Sequence, residues 1–240
     1  SGNGHHGAIS GNATWVAEGI AFDGVDGVVN LGKGLGSFAE GHTIIIAQRE
    51  NTIRGQTGAI FARYHYNYKL GVLIQKDAAS NYQWRALYGD GTDPEAPTLK
   101  YLNFHQRYPG WGVLHVRFDG STVDQGFDTR PGPRFDVPAY RDSQLYDCTL
   151  GGRVGSYYNG TIGYVLIYNR SLSDAELESA YVAIRTEMAT RGVEDLPGPR
   201  VKFDPPMLVM SFDDSLATEY TNALPIAAAR NFPCTSYTIS

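Results

Sequence analysis

The residues best equipped for chemistry in this chain are aromatic. Tyr64, Tyr66 and Tyr68 alternate with His65 and Asn67, so in an extended strand the three phenols share one face. Trp84 stands nearby, among further rings at Tyr82, Tyr88, Tyr101, Tyr108, Trp111, Tyr157 and Tyr158. Sugar rings present C–H faces that pack on aromatic planes, and Tyr and Trp add a polar handle. The Tyr64–Tyr66–Tyr68 row and Trp84 are therefore the expected sugar platform, and most of the other rings are expected to fill a core. Asp23 and Asp26 lie in a glycine-rich turn and are the calcium candidates, because calcium takes several oxygen ligands. Turn-forming Asp is the competing explanation.

Other catalytic patterns are missing. Retaining glycosidases need two carboxyl groups about 5 Å apart, and no E-x-D-x-x-E pattern occurs. No G-x-S-x-G nucleophile elbow occurs. The histidines are scattered, and none are spaced H-x-x-x-H. Asp213 and Asp214 stand side by side after the apolar run Met207–Met210, where Asp is also a favoured helix cap.

Strands must position these groups. Thr43–Ala47 is a continuous β-branched run, as in a central strand. Ala59–Tyr64, Leu70–Gln75, Gln83–Tyr88 and Thr161–Tyr168 read as further strands. Val113–Phe118 alternates, with Leu114, Val116 and Phe118 on one face and His115 and Arg117 on the other. Asp119–Leu150 is expected to be loops with one or two short strands, since its Arg130-Pro131-Gly132-Pro133-Arg134 cannot be a central strand. Such spacing predicts an all-β antiparallel sandwich or jelly roll. One helix closes it. Ser173 and Glu176 form a capping box, with Leu172 and Leu177 placed as a hydrophobic staple. Leu177, Tyr181, Ile184 and Met188 form its apolar face, and Gly192 its C-terminal stop.

Residues 1–192 are thus expected to form the sandwich. A Pro-rich linker follows over 193–206, then a β-α-β unit over 207–240. The formal charge of −5 and the absence of basic clusters argue against nucleic acid or an anionic membrane as partner. No apolar run is long enough to span a bilayer. The first residues, Ser1-Gly2-Asn3-Gly4, are polar and do not read as a signal peptide. Cys148 and Cys234 fall in different modules and are expected to be free thiols.

Two resemblances sharpen this reading. Gly19-Ile20-Ala21-Phe22-Asp23-Gly24-Val25-Asp26-Gly27-Val28-Val29-Asn30-Leu31 and Asn159-Gly160-Thr161-Ile162 through Ile167-Tyr168-Asn169-Arg170-Ser171-Leu172-Ser173 resemble the opening hairpin and closing strand of concanavalin-like laminin-G domains. That resemblance implies a β-sandwich that binds sugar, glycosaminoglycan or protein, often with calcium. Val209-Met210-Ser211-Phe212-Asp213-Asp214 with Phe232-Pro233-Cys234-Thr235 resembles the start of a NodB-type polysaccharide deacetylase, an α/β barrel. The resemblance implies a general base at Asp213 and a ligand to a zinc-like divalent metal at Asp214. The family's two histidine ligands are absent, and Ser215 stands where a Gly is usual. The expected function is a carbohydrate-binding or targeting module of a larger polysaccharide deacetylase, itself inactive as this chain. The alternative is a structural or protein-binding module, possible oligomerisation included. The expected setting is extracellular, secreted, or a cell or virion surface such as a phage tail.

Overall fold

A run of four β-branched residues can be buried on both sides only if something covers each face of its sheet. The computed structural model provides two covers. It describes residues 6–51, 58–65, 70–76, 83–90, 99–105, 110–128, 130–131, 134–137, 140–143, 146–153, 155–194, 196, 210–212 and 234–236. In chain order the strands are β1 (Ala8–Ser10), β2 (Thr14–Val16), β3 (Gly19–Asp23), β4 (Val28–Gly32), β5 (His42–Glu50), β6 (Ala59–His65) and β7 (Leu70–Lys76). Then come β8 (Gln83–Asp90), β9 (Leu99–His105), β10 (Trp111–Phe118), β11 (Thr122–Phe127), β12 (Arg130–Pro131), β13 (Phe135–Asp136) and β14 (Cys148–Leu150). Short β15 (Gly152–Arg153) and β16 (Ser156–Tyr157) precede the long β17 (Asn159–Tyr168) and the helix α1 (Asp174–Thr190).

These strands make two antiparallel sheets. One runs β1-β4-β14-β6-β7-β8-β9, and the other β12-β11-β10-β5-β17-β3-β2. The chain up to Pro199 forms a compact unit, and this unit is a β-sandwich. Ile44 and Ile46 of β5 enter the core between the sheets with Phe22, Phe61, Val72, Ile74, Trp84, Leu114, Val116 and Phe118. Ile45 and Ala47 face the other way and pack with Trp111 and Val113 under α1. Double coverage explains the unbroken apolar run. Alternation in β10 also holds: Leu114, Val116 and Phe118 face the inter-sheet core, and the His115 ring nitrogen meets Tyr181 Oη of α1 at 2.8 Å.

The segment after Asp119 is more regular than its sequence suggests. β11 pairs with β10 over five residues, from Phe127 opposite Leu114 to Val123 opposite Phe118. Its inward residues are Val123, Gln125 and Phe127, and the buried Gln125 breaks the apolar pattern. Pro131 lies in β12, at the sheet edge, where the missing N–H costs no ladder bond.

Helix α1 begins and ends where its sequence directs. Ser173 Oγ accepts from the Glu176 amide, and the Glu176 carboxylate accepts from the Ser173 amide at 2.8 Å. Leu172 and Leu177 sit in the cluster beneath it. At the far end Gly192 has φ +81°, and the amides of Gly192 and Val193 bond back to Ala189 and Met188 carbonyls, a Schellman closure. Val193 and Leu196, read from sequence as linker, are buried in the same cluster. Ser173→Ala is expected to cost about 1 kcal/mol. Thermal unfolding would show this as a Tm lower by about 2–4 °C for a domain of this size. An unchanged Tm would remove the cap from the account.

A second unit spans Arg200–Ser240. In it β18 (Met210–Phe212) pairs in parallel with β19 (Cys234–Ser236). A parallel pair requires a crossover between its strands. Of the strand expected over Met207–Met210, only Met210 is among the described residues, and it is in β18. The connecting residues, Asp213 and Asp214 among them, lie outside the described residues.

Candidate functional site

The expected platform divides. Trp84 is 1% exposed and fills the inter-sheet core, its ring 6.0 Å from that of Tyr158. It belongs to the inward set of β8 with Ala86 and Tyr88, so it has no face to offer a sugar. This corrects the sequence expectation, which had no means of telling the two faces of β8 apart. Tyr64 is half-buried against Ala59, Ala62, Leu73 and Leu87. The Arg153 guanidinium lies over its ring at 5.4 Å. Tyr66 and Tyr68 lie outside the described residues.

Asp23 and Asp26 are engaged in the β3–β4 turn. Asp23 Oδ1 accepts the amides of Val25 (2.9 Å), Asp26 (3.3 Å) and Gly27 (3.4 Å), and Asp26 Oδ1 accepts that of Asn12 (2.8 Å). The Val25 amide, with those of Asp26 and Gly27, holds the Asp23 carboxyl below its usual range. These oxygens brace backbone, and among the described residues no group of three His, Cys, Asp or Glu side chains is placed to hold a metal. Both Oδ1 atoms are thus committed to backbone amides. Asp213 and Asp214 lie outside the described residues, and no H-x-x-x-H occurs in the sequence. Cys148 is a buried free thiol, pushed up to about 12 by burial. A thiol held protonated is a poor nucleophile.

The structure assembles a different constellation on the outer face of the second sheet. A bulge between Ile162 and Tyr164 resets the register of β17 against β5. Bulges re-aim side chains, and beyond this one Tyr164, Leu166 and Tyr168 face α1 while Val165 and Ile167 face the inter-sheet core. Gly163 lets the helix come close: a Cβ there would meet Met188 Cε at 2.3 Å. Along the side of α1, Ala175, Ser179, Ala180 and Ala183 face the strand across an open groove of about 470 Å³.

Each end of the groove repeats one chemistry. At one end Arg170 lies 6.0 Å over the Tyr168 ring and binds Glu176 through two hydrogen bonds, 3.0 and 2.8 Å. These bonds, chiefly, hold the Glu176 carboxyl down to about 2. At the other end Tyr164 lines the groove, and behind it, outside the lining, Arg191 lies 5.7 Å over the Tyr164 ring, with Nη2 on Glu187 Oε1 at 2.8 Å and Nη1 on the Gly163 carbonyl at 2.9 Å. Two aromatic–guanidinium–carboxylate clusters thus flank an apolar middle. Such clusters offer ring faces, planar donors and paired acceptors together, the set that a polyhydroxylated ligand uses.

Sequence reading missed Tyr164 and Tyr168 because they were assigned to the closing strand as structure. Their Tyr-x-Leu-x-Tyr alternation, followed at once by Arg170, was the available signal. It also passed over Trp15, which is 73% exposed on the edge strand β2. A Trp left this open at an edge is an unusual apolar exposure.

No family model and no curated protein matches the chain. Solved structures do match. The binding domain of botulinum neurotoxin DC, in complex with rat synaptotagmin II, aligns with TM-score 0.59 and 12% identity over 75% of this chain and 48% of that one. Botulinum neurotoxin type C, whose cell uptake is reported to depend on two ganglioside molecules, aligns with TM-score 0.57 and 13% identity over 75% and 47%. A Trypanosoma rangeli sialidase mutant with trans-sialidase activity aligns with TM-score 0.55 and 18% identity over 76% and 30%. The shared property is the β-sandwich. The chain spans about half the length of the neurotoxin domains and less of the sialidase.

Proposed function

We propose that the sandwich is a carbohydrate-binding module and that the groove between β17 and α1 is its binding site. The observation that carries this reading is a single open groove lined at one end by the Tyr168–Arg170–Glu176 cluster and at the other by Tyr164, whose ring is backed by the Arg191–Glu187 pair. The sandwich neighbours lend support, since one is described with gangliosides and another acts as a sialidase. In the fuller reading the module targets a polysaccharide deacetylase activity at an extracellular or surface site. The parallel pair Met210–Phe212 and Cys234–Ser236 supports a β-α-β start to such a domain. Asp213 and Asp214 keep the roles of general base and metal ligand in a protein that also supplies the histidines. Tethering is the physical gain, because it makes the catalytic encounter intramolecular.

Calorimetric titration against a panel of acetylated and deacetylated polysaccharides tests this reading. At least one is expected to bind, and Tyr168→Ala is expected to weaken it about tenfold by removing a ring contact. Circular dichroism confirms that the variant is folded. Binding indifferent to both Tyr164→Ala and Tyr168→Ala would displace the site from this groove.

A second reading, protein binding, rests on Trp15 at the exposed edge of β2. It expects Trp15→Ala, not Tyr168→Ala, to abolish the interaction.

A further inference from the structure

We infer that the groove selects neutral over acidic glycans and holds about three pyranose rings laid along β17; this rests on the carbohydrate-binding reading above. Charge is the first argument. A site for a uronic or sialic acid needs a cation free to meet the carboxylate. Here both guanidinium groups are spoken for: Arg170 by Glu176 and Arg191 by Glu187 and the Gly163 carbonyl. An acidic sugar would have to break one of these pairs and would then leave a protein carboxylate beside its own. A neutral sugar meets no such repulsion, and its vicinal hydroxyls accept from the guanidinium and donate to the carboxylate without separating them.

Length is the second argument. Tyr164 and Tyr168 are four residues apart on a regular strand beyond the bulge. At about 3.3 Å per residue the two rings are about 13 Å apart, which is about three pyranose units end to end. Between them the walls are Leu166, Ala180 and Ala183, with Ser179, whose hydroxyl donates to the Ala175 carbonyl, as the one polar side chain. The end rings of the glycan are then fixed by hydrogen bonds and stacking, and the middle ring chiefly by its C–H face. Affinity must therefore depend on chain length up to the point where both ends are engaged and not beyond.

The test is calorimetry on the intact chain with cello- and chito-oligosaccharides of increasing length from the monosaccharide upward, and with oligogalacturonates of matching length. For the neutral series, affinity is expected to rise about tenfold from monomer to trimer and then level off, with the galacturonates about tenfold weaker or worse. E187Q leaves Arg191 without its carboxylate at an exposed position. It is expected to improve trigalacturonate binding about two- to fivefold, the scale of one exposed ion pair, and to weaken the neutral trimer, which loses a carboxylate acceptor, so that the preference for the neutral trimer narrows. Tyr168-dependent binding that favours the galacturonates, or that keeps strengthening well past the trimer, overturns this inference and leaves the carbohydrate reading standing. Absence of binding to every oligosaccharide overturns both.

Discussion

Asp142→Ala is expected to destabilise the sandwich by about 3–5 kcal/mol, more than a single surface charge normally does. The reason is its partner. Arg63 is 1% exposed, with its guanidinium 4.3 Å over the Phe38 ring and its Nε 3.1 Å from Asp142 Oδ1. Asp142 Oδ2 also accepts the Phe38 amide at 2.8 Å. One carboxylate therefore neutralises a cation inside the core and closes the loop before β5 over it. Alanine leaves that cation buried and uncompensated and orphans a backbone donor. Replacing both charges, as Arg63→Met with Asp142→Asn, removes the cation and keeps an acceptor for Phe38. The double variant is expected to recover about 1–3 kcal/mol relative to Asp142→Ala. Urea unfolding of the single and double variants measures this. A double variant no more stable than Asp142→Ala would show that the loss comes from packing rather than charge.

The second large effect is acid lability. His42 is fully buried in a ring stack with Phe38, Tyr88, Phe118 and Tyr140, its Nε2 2.8 Å from Tyr88 Oη. His115 is buried under α1 against Tyr181, with Arg117, Asp124 and Asp174 around it. Burial pushes each imidazole down to about 4 from an ordinary 6.5. A depressed base has a definite sign. Between pH 6.5 and pH 4 the unfolded chain takes up two protons that the folded one refuses, so stability is complete above pH 6.5 and falls as pH drops through that window. Each histidine contributes about 3 kcal/mol across it. Urea midpoints at pH 7 and pH 4.5 are expected to differ widely, and His115→Gln, which keeps a partner for Tyr181, is expected to shrink the difference by about half. Equal midpoints at the two pH values in the unsubstituted chain would sink the proposal.

Legibility followed periodicity. β5, β10, β17 and α1 were readable because each repeats an apolar spacing or carries a cap whose chemistry is local. β11 was not, because its inward Gln125 looks polar in sequence and its neighbours are prolines. The site was harder for a related reason. Alternation says which residues share a face, but not which face another element covers. Trp84 and Tyr168 both sit at alternating strand positions, yet one faces the opposite sheet and the other a helix that covers its face only in part. On β17 the facing is reset by the bulge between Ile162 and Tyr164, and Gly163 leaves room for Met188, distant in the chain. Asp23 and Asp26 show a related limit, since a carboxylate that braces a turn, as both do here, and one that awaits a cation have the same local sequence.

The order of strands around β5 has a consequence during synthesis. β5 leaves the ribosome early, but its partners are β10 and β17, with Thr43 opposite Tyr168 and Glu50 opposite Gly160. At about 5–20 residues per second, the chain between them takes on the order of ten seconds to emerge. Until β10 emerges, Thr43-Ile44-Ile45-Ile46-Ala47 has neither edge paired, and until β17 follows one edge stays open; it has the composition of an aggregation-prone segment. The nascent chain is therefore most vulnerable well before it is complete, and a holding chaperone that recognises apolar extended segments is expected to protect it there.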